Sequence, residues 1–214
     1  PLFQYGSREI FLMKVPFRII WWAVLVLVLL PMAWLIYNAL TGGLGANPIE
    51  AINRYLGDWA LRFLLIALAL TPIRILNKKA WPIRLRRMLG LTAFFYAFAH
   101  LSSYVVIDQF FDWAAIWQDI VKRRFITVGM VAVLILLALA ITSPASIAKR
   151  LGAKNWKRLH KLVYLAGALG CLHFFWMVKA DIREPVIYGI IFSILMIIRF
   201  IESRRKKLAL GDGQ

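Results

Sequence analysis

The chain has 214 residues, 62% of them hydrophobic, with a mean hydropathy of +0.72. Soluble domains are ~45–50% apolar, so a single water-soluble core of this size is excluded and lipid is the implied solvent for much of the surface. The formal charge of +17 would suggest nucleic acid in a soluble protein. Here, however, the basic residues cluster between long apolar runs, the pattern of loops on a negative membrane face. The length suits one domain or one bundle.

A helix needs about 20 apolar residues to cross the hydrocarbon, and six stretches qualify. The first runs from Ile19 to Tyr37 without a charge. It is too long for the apolar region of a signal peptide, and no small-residue cleavage motif follows it. After the turn-rich stretch Thr41 to Pro48, Asn47 and Pro48 read as an N-cap and first helical residue, opening a short interfacial helix to about Leu56. The second span is expected from Gly57 to Ile75, with Arg62 near enough to one end to snorkel. The third covers Met88 to Ile107, the fourth Phe125 to Ser143, the fifth Trp156 to Val178 and the sixth Pro185 to Phe200. The tail after Glu202 is basic, then Gly-rich, and is expected to fray. The fold class is thus an all-α six-helix membrane bundle, a single unit over residues 1–214.

Lysines and arginines set the orientation. Twenty lie at the N-terminus, between the second and third spans, between the fourth and fifth, and at the C-terminus; seven lie on the opposite side. The positive-inside bias places both termini in the cytoplasm. The run Lys122–Arg124, on the outer side, is the main exception. Most tryptophans fall near span ends, as an aromatic belt does, and Asp108, Asp112 and Asp119 are expected to be solvated on the outer side. Cys171, the single cysteine, rules out an internal disulfide and reads as a small buried hydrophobe.

The three histidines carry the chemistry. Ionisable groups inside a membrane are rare and face the bundle interior, and neutral imidazole is a good ligand for haem iron. His100 stands about seven residues before the outer end of the third span and His173 about five before that of the fifth. Both spans run outward, so the two differ in depth by ~3 Å and can clamp one haem between their helices. Interhelical hydrogen bonding is the alternative reading. His160, thirteen residues before His173, lies ~20 Å lower and ~140° away around an ideal helix, unless Gly167 and Gly170 kink it. At its depth the third span offers Arg86 and Arg87 rather than a histidine. His160 therefore reads as an interfacial residue, a ligand to a second haem, or a contact to another redox group. Arg86 and Arg87 read as membrane-surface anchors or as a fork for phosphate or propionate. No Ser/His/Asp set, carboxylate pair or phosphate-cradling loop is present. A transporter with a histidine proton relay and a direct reductase of an external acceptor are the competing functions.

GGLGANP (Gly42–Pro48), RFLLIALALTPIR (Arg62–Arg74), IRLRRMLGL (Ile83–Leu91), HLSSY (His100–Tyr104) and WKRLHKLVYLAGALGCLHFFWMVK (Trp156–Lys179) resemble the MsrQ family, also called YedZ. The similarity extends from the first span to the sixth, and the wider relatives are ferric reductase-like transmembrane domains. It implies a haem b protein, to which FMN is also attributed, in the bacterial inner membrane. Such a protein carries electrons from the quinone pool or a cytosolic flavin reductase to MsrP, a periplasmic molybdopterin enzyme that reduces methionine sulfoxide. The family's haem histidines correspond to His100, His160 and His173, and its paired arginines to Arg86 and Arg87. NADPH oxidases carry two histidines on each of two helices and a C-terminal flavin–nicotinamide domain. Here the third span has one histidine and Gln214 ends the sequence, so hydride uptake from NADPH by this chain alone is not expected.

Overall fold

A computed structural model describes residues 16–211; Arg8 and Lys14 of the orientation count lie outside the described residues. The described residues form helices joined by short loops, with no strand among them. Its elements are α1 (Phe17–Thr41), α2 (Pro48–Asn77), α3 (Trp81–Arg84), α4 (Arg86–Ser103), α5 (Trp113–Lys122), α6 (Arg124–Ile141), α7 (Ala145–His160), α8 (Leu162–Met177) and α9 (Arg183–Gly211). A π-helical turn, Tyr104–Asp108, extends α4. Six helical stretches are long and apolar enough to cross a membrane: Phe17–Thr41, Pro48–Asn77, Arg86–Asp108, Arg124–Ile141, Ala145–Met177 and Arg183–Arg205. Large apolar side chains line their outer faces, such as Leu27 at 59% exposure and Ile190 at 53%, which suits contact with lipid rather than water.

Several boundaries differ from expectation. No separate interfacial helix precedes the second span: α2 runs unbroken for 30 residues from Pro48. Its start is as expected, since Asn47 accepts a hydrogen bond from the Glu50 N–H at 3.2 Å. Arg62 consequently sits mid-helix rather than near an end. It does not snorkel away but donates from Nε to the Tyr188 hydroxyl at 2.7 Å and lies over the Trp59 ring. α9 continues to Gly211, so the basic tail is helical rather than frayed up to that point. Helix α5 was not anticipated; it is short and amphipathic, outside the pattern of a long apolar run. Asp112 caps α5 through the Ala115 N–H at 3.0 Å. Asp119 is not simply solvated: it accepts from the Tyr104 hydroxyl at 2.9 Å and pairs with Arg123 at 3.0 Å. α8 is continuous through Gly167 and Gly170. The kink lies instead at Gly152 inside α7, where φ is 74°, while Lys161 between α7 and α8 keeps helical dihedrals.

α2 packs chiefly on α4, and α6 on α8. Tyr96 of α4, fully buried, donates to the Val28 carbonyl of α1 at 2.9 Å and packs at a tilt against Phe63 of α2. It thereby ties three helices together. Tyr96→Phe should cost about 1 kcal/mol and lower the thermal midpoint in detergent by roughly 2–4 °C. Tyr96→Ala should cost about 3–5 kcal/mol. Circular-dichroism melts would check both.

Candidate functional site: two cavities in the bundle

The helices alternate in direction, so the loops sort into two ends. The far end carries residues 42–47, 109–123 and 178–182. The terminal end carries residues 78–85, α7 and both ends of the described chain.

A cavity of about 560 Å³ opens toward the far end, within the ~300–1,000 Å³ typical of ligand sites. His100 of α4 and His173 of α8 both line it, amid apolar residues such as Leu61, Leu64, Val133 and Leu136. Their ring centres are 6.2 Å apart with planes at 74°. His100 Nδ1 lies 2.9 Å from the Asn53 carbonyl oxygen and His173 Nδ1 lies 2.7 Å from that of Phe125. A carbonyl oxygen only accepts, so each Nδ1–H is the donor and each Nε2 holds a free lone pair. This is the arrangement of metal-binding histidines, whose second nitrogen is held by an outer partner.

The residues present fit a haem. Two imidazoles on opposite sides of one metal ion, each with a nitrogen about 2 Å from it, have ring centres roughly 6 Å apart. Among the described residues no three His, Cys, Asp or Glu side chains converge as a metal site. A group that brings most of its own ligands, as haem does, would therefore suit the pair better than a metal ion held by protein side chains alone. The far-end rim adds Asn53, Arg54, Asp58, Tyr104 and Arg123.

A second cavity, about 310 Å³, lies toward the terminal end. It gathers Arg86, Arg87, His160, Tyr164 and Arg199, and no carboxylate among the described residues lines it. His160 belongs to this group rather than to the pair. Its Nε2 stands 3.2 Å from Thr142 Oγ1, which donates onward to the Ala138 carbonyl at 2.7 Å. The imidazole and the hydroxyl are hydrogen-bonded, the direction depending on the imidazole tautomer. The Trp156 indole stacks on the ring at 4.0 Å and donates to the Thr142 carbonyl at 2.9 Å. Lys161, between α7 and α8, keeps helical φ and ψ of −70° and −20°, so His160 stands about 20 Å below His173 along the stretch, at the depth the sequence implies.

Arg199 of α9 went unrecognised in the sequence as part of this site. It donates to the Tyr164 hydroxyl at 3.0 Å and to the Leu68 carbonyl, while its buried Nε has no partner among the described residues. It resembled one more basic residue at a span's end. The carbonyls of Asn53 and Phe125 were also beyond sequence reading, since a backbone oxygen carries no residue-type signal. Leu64 and Leu136 line both cavities, so little more than these side chains divides them.

Comparison with known proteins agrees with this architecture. The family model described as "Ferric reductase like transmembrane component" matches residues 56–171. The chain is 53% identical over 185 residues to the protein-methionine-sulfoxide reductase heme-binding subunit MsrQ of Rhodospirillum rubrum, covering 86% of this chain and 89% of that one. The proteins of that name from Caulobacter vibrioides and Herminiimonas arsenicoxydans are 49% and 50% identical. They cover 82% and 84% of this chain, and 83% of each relative. With helices apolar enough for six spans and similarity extending over most of its length, the chain belongs to the ferric reductase-like transmembrane family and, within it, to the MsrQ group.

Proposed function

We propose that this chain is a transmembrane electron conduit that holds haem b between His100 and His173. The observation that carries this reading is the pair of imidazoles 6.2 Å apart, each with Nδ1 bound to a backbone carbonyl. Haem b, when bound, supplies one-electron ferric/ferrous chemistry. The chain's own residues orient the two ligands, keep water from the apolar part of the cavity and set the dielectric around the iron.

Residues 1–214 act as one ferric reductase-like transmembrane unit in the bacterial inner membrane, with both termini in the cytoplasm. Charge supports that sidedness. The far end holds seven lysines and arginines but also Glu50, Asp58, Asp108, Asp112, Asp119, Asp181 and Glu184, so its charges nearly cancel. Three of the seven, Arg54, Arg123 and Arg183, are paired with carboxylates. The excess positive charge lies wholly at the terminal end, the cytoplasmic side of a membrane protein.

Electrons then enter through the terminal-end cavity and leave from the far end. Arg86, Arg87, Arg199 and His160 offer donors to an anionic or carbonyl-bearing donor molecule, either a quinone or a reduced flavin supplied by a cytosolic reductase. The FMN associated with this family would place its phosphate on these arginines. The acceptor is the periplasmic molybdopterin partner MsrP, where methionine sulfoxide is reduced; no catalytic residue for that step is assigned to this chain.

Purified protein should show a dithionite-reduced b-type spectrum and a pyridine haemochrome signal. A preparation expressed with adequate haem supply but lacking a Soret band would refute the proposal and favour a transporter.

A further inference from the structure

The two histidines are seated by the same device, repeated in the two principal helix pairs. His100 of α4 donates to the carbonyl of Asn53 on α2, and His173 of α8 donates to that of Phe125 on α6. In an α-helix the carbonyl of residue i faces the N–H of residue i+4. The residue at that position is Gly57 in one case and Gly129 in the other. Both glycines lie against the histidine ring. A Cβ at Gly57 would stand 3.2 Å from His100 Nδ1 and Cε1; at Gly129 it would stand 2.7 Å from His173 Nδ1 and 2.9 Å from its Cε1. In each pair the same Nδ1–Cε1 edge meets the same part of the neighbouring turn. Neither glycine has a positive φ, so backbone conformation gives no reason for its presence. What each provides is space.

The geometry points to Gly57 and Gly129 as positioning residues: each leaves the notch on a neighbouring helix that sets one axial histidine's ring plane and its Nδ1–carbonyl bond. This rests on the haem reading above. The notch lets the ring reach a carbonyl already engaged in its own helix, and that bond fixes the tautomer and strengthens the ligand. Because the notch lies on the partner helix, any slide of α4 along α2, or of α8 along α6, would alter ligation.

The prediction is graded. Gly129→Ala places a methyl well inside contact distance and must displace His173. Outer partners of metal ligands typically contribute 10–100-fold in affinity, so haem retention should weaken about 10-fold or more, with high-spin signal from haem that has lost one ligand. Gly57→Ala asks His100 to give by only a few tenths of an ångström. It should keep its haem but show an altered low-spin electron paramagnetic resonance signal and a displaced midpoint potential. Gly189→Ala in α9, where a Cβ would meet nothing within 4 Å, should match the unmodified protein. The three variants would be compared as full-length protein by haem-to-protein ratio, spin state and potentiometric titration. Gly57→Ala indistinguishable from Gly189→Ala would overturn the inference, whatever becomes of Gly129→Ala. His100→Ala and His173→Ala in the same series separate the two levels. If they retain full haem the histidine clamp itself is wrong; if they lose it while Gly57→Ala is silent, only the notch is wrong.

Discussion

Replacing either His100 or His173 with alanine is expected to reduce haem per protein about 10-fold or more, since even outer partners of metal ligands contribute 10–100-fold and these would be the ligands themselves. The two changes should be nearly equivalent, because each ring has the same tautomer, the same kind of backbone acceptor and a place in the same cavity. The fold should survive both. The carbonyls of Asn53 and Phe125 keep helical partners when the imidazole is gone, so no buried acceptor is left bare. His173→Met distinguishes ligation from mere packing. A thioether in place of one imidazole raises the potential of a haem, so any haem retained should titrate at a higher midpoint. His160→Ala should leave the spectrum of the His100–His173 centre in place, because its ring lies in the other cavity, against Trp156 and Thr142. Pyridine haemochrome quantification on membranes normalised to protein decides these outcomes. Full haem content in both alanine variants would remove His100 and His173 from the proposed site.

Much of this arrangement is legible in the residues, and the parts that are not have identifiable physical reasons. Long apolar runs mark the spans because lipid demands them, and the first, third and fourth lie within a few residues of α1, the extended α4 and α6. The second span is expected to begin only at Gly57 because Glu50 and Arg54 make the preceding turns read as a separate interfacial helix. α2 tolerates them at the far end, where Arg54 and Glu50 pair at 2.7 Å. α5 escaped because ten residues with Asp119 and Lys122 among them look like loop when only membrane-length runs are sought. His100 and His173 could be matched by counting residues along their helices, since rise per residue is nearly constant. So could the position of His160: thirteen residues of helix before His173 put it at the depth of Arg86 and Arg87, and it lines one cavity with both. Arg199 joins the terminal-end cavity only through tertiary packing across α8 and α2, through Tyr164 and the Leu68 carbonyl. No local pattern announces that.

The second large effect is expected at that cavity. Arg86 and Arg87 line it with Arg199, and no carboxylate among the described residues lines the same space. Arginines gathered without anions repel one another and favour an anionic guest, all the more where lipid and protein keep the dielectric low. A hydrogen bond to a charged group contributes about 1.5–3 kcal/mol, and about 1.4 kcal/mol is tenfold in affinity. Removing one such contact should therefore weaken an anionic electron donor by about 10–100-fold. Arg86→Ala combined with Arg87→Ala should accordingly slow haem reduction by reduced FMN at sub-saturating concentration, with the loss recovered in part at high donor concentration. Dithionite reduction and the absolute spectrum should stay as in the unmodified protein, since neither arginine lines the cavity of His100 and His173. Stopped-flow absorbance at the Soret maximum measures the rate directly. Raising the salt concentration should slow the unmodified protein more than the variant, because screening acts on the charges the variant lacks. An unchanged rate with reduced FMN and with a soluble quinol alike would show that electrons reach the haem by another route and would return Arg86 and Arg87 to the role of membrane-surface anchors.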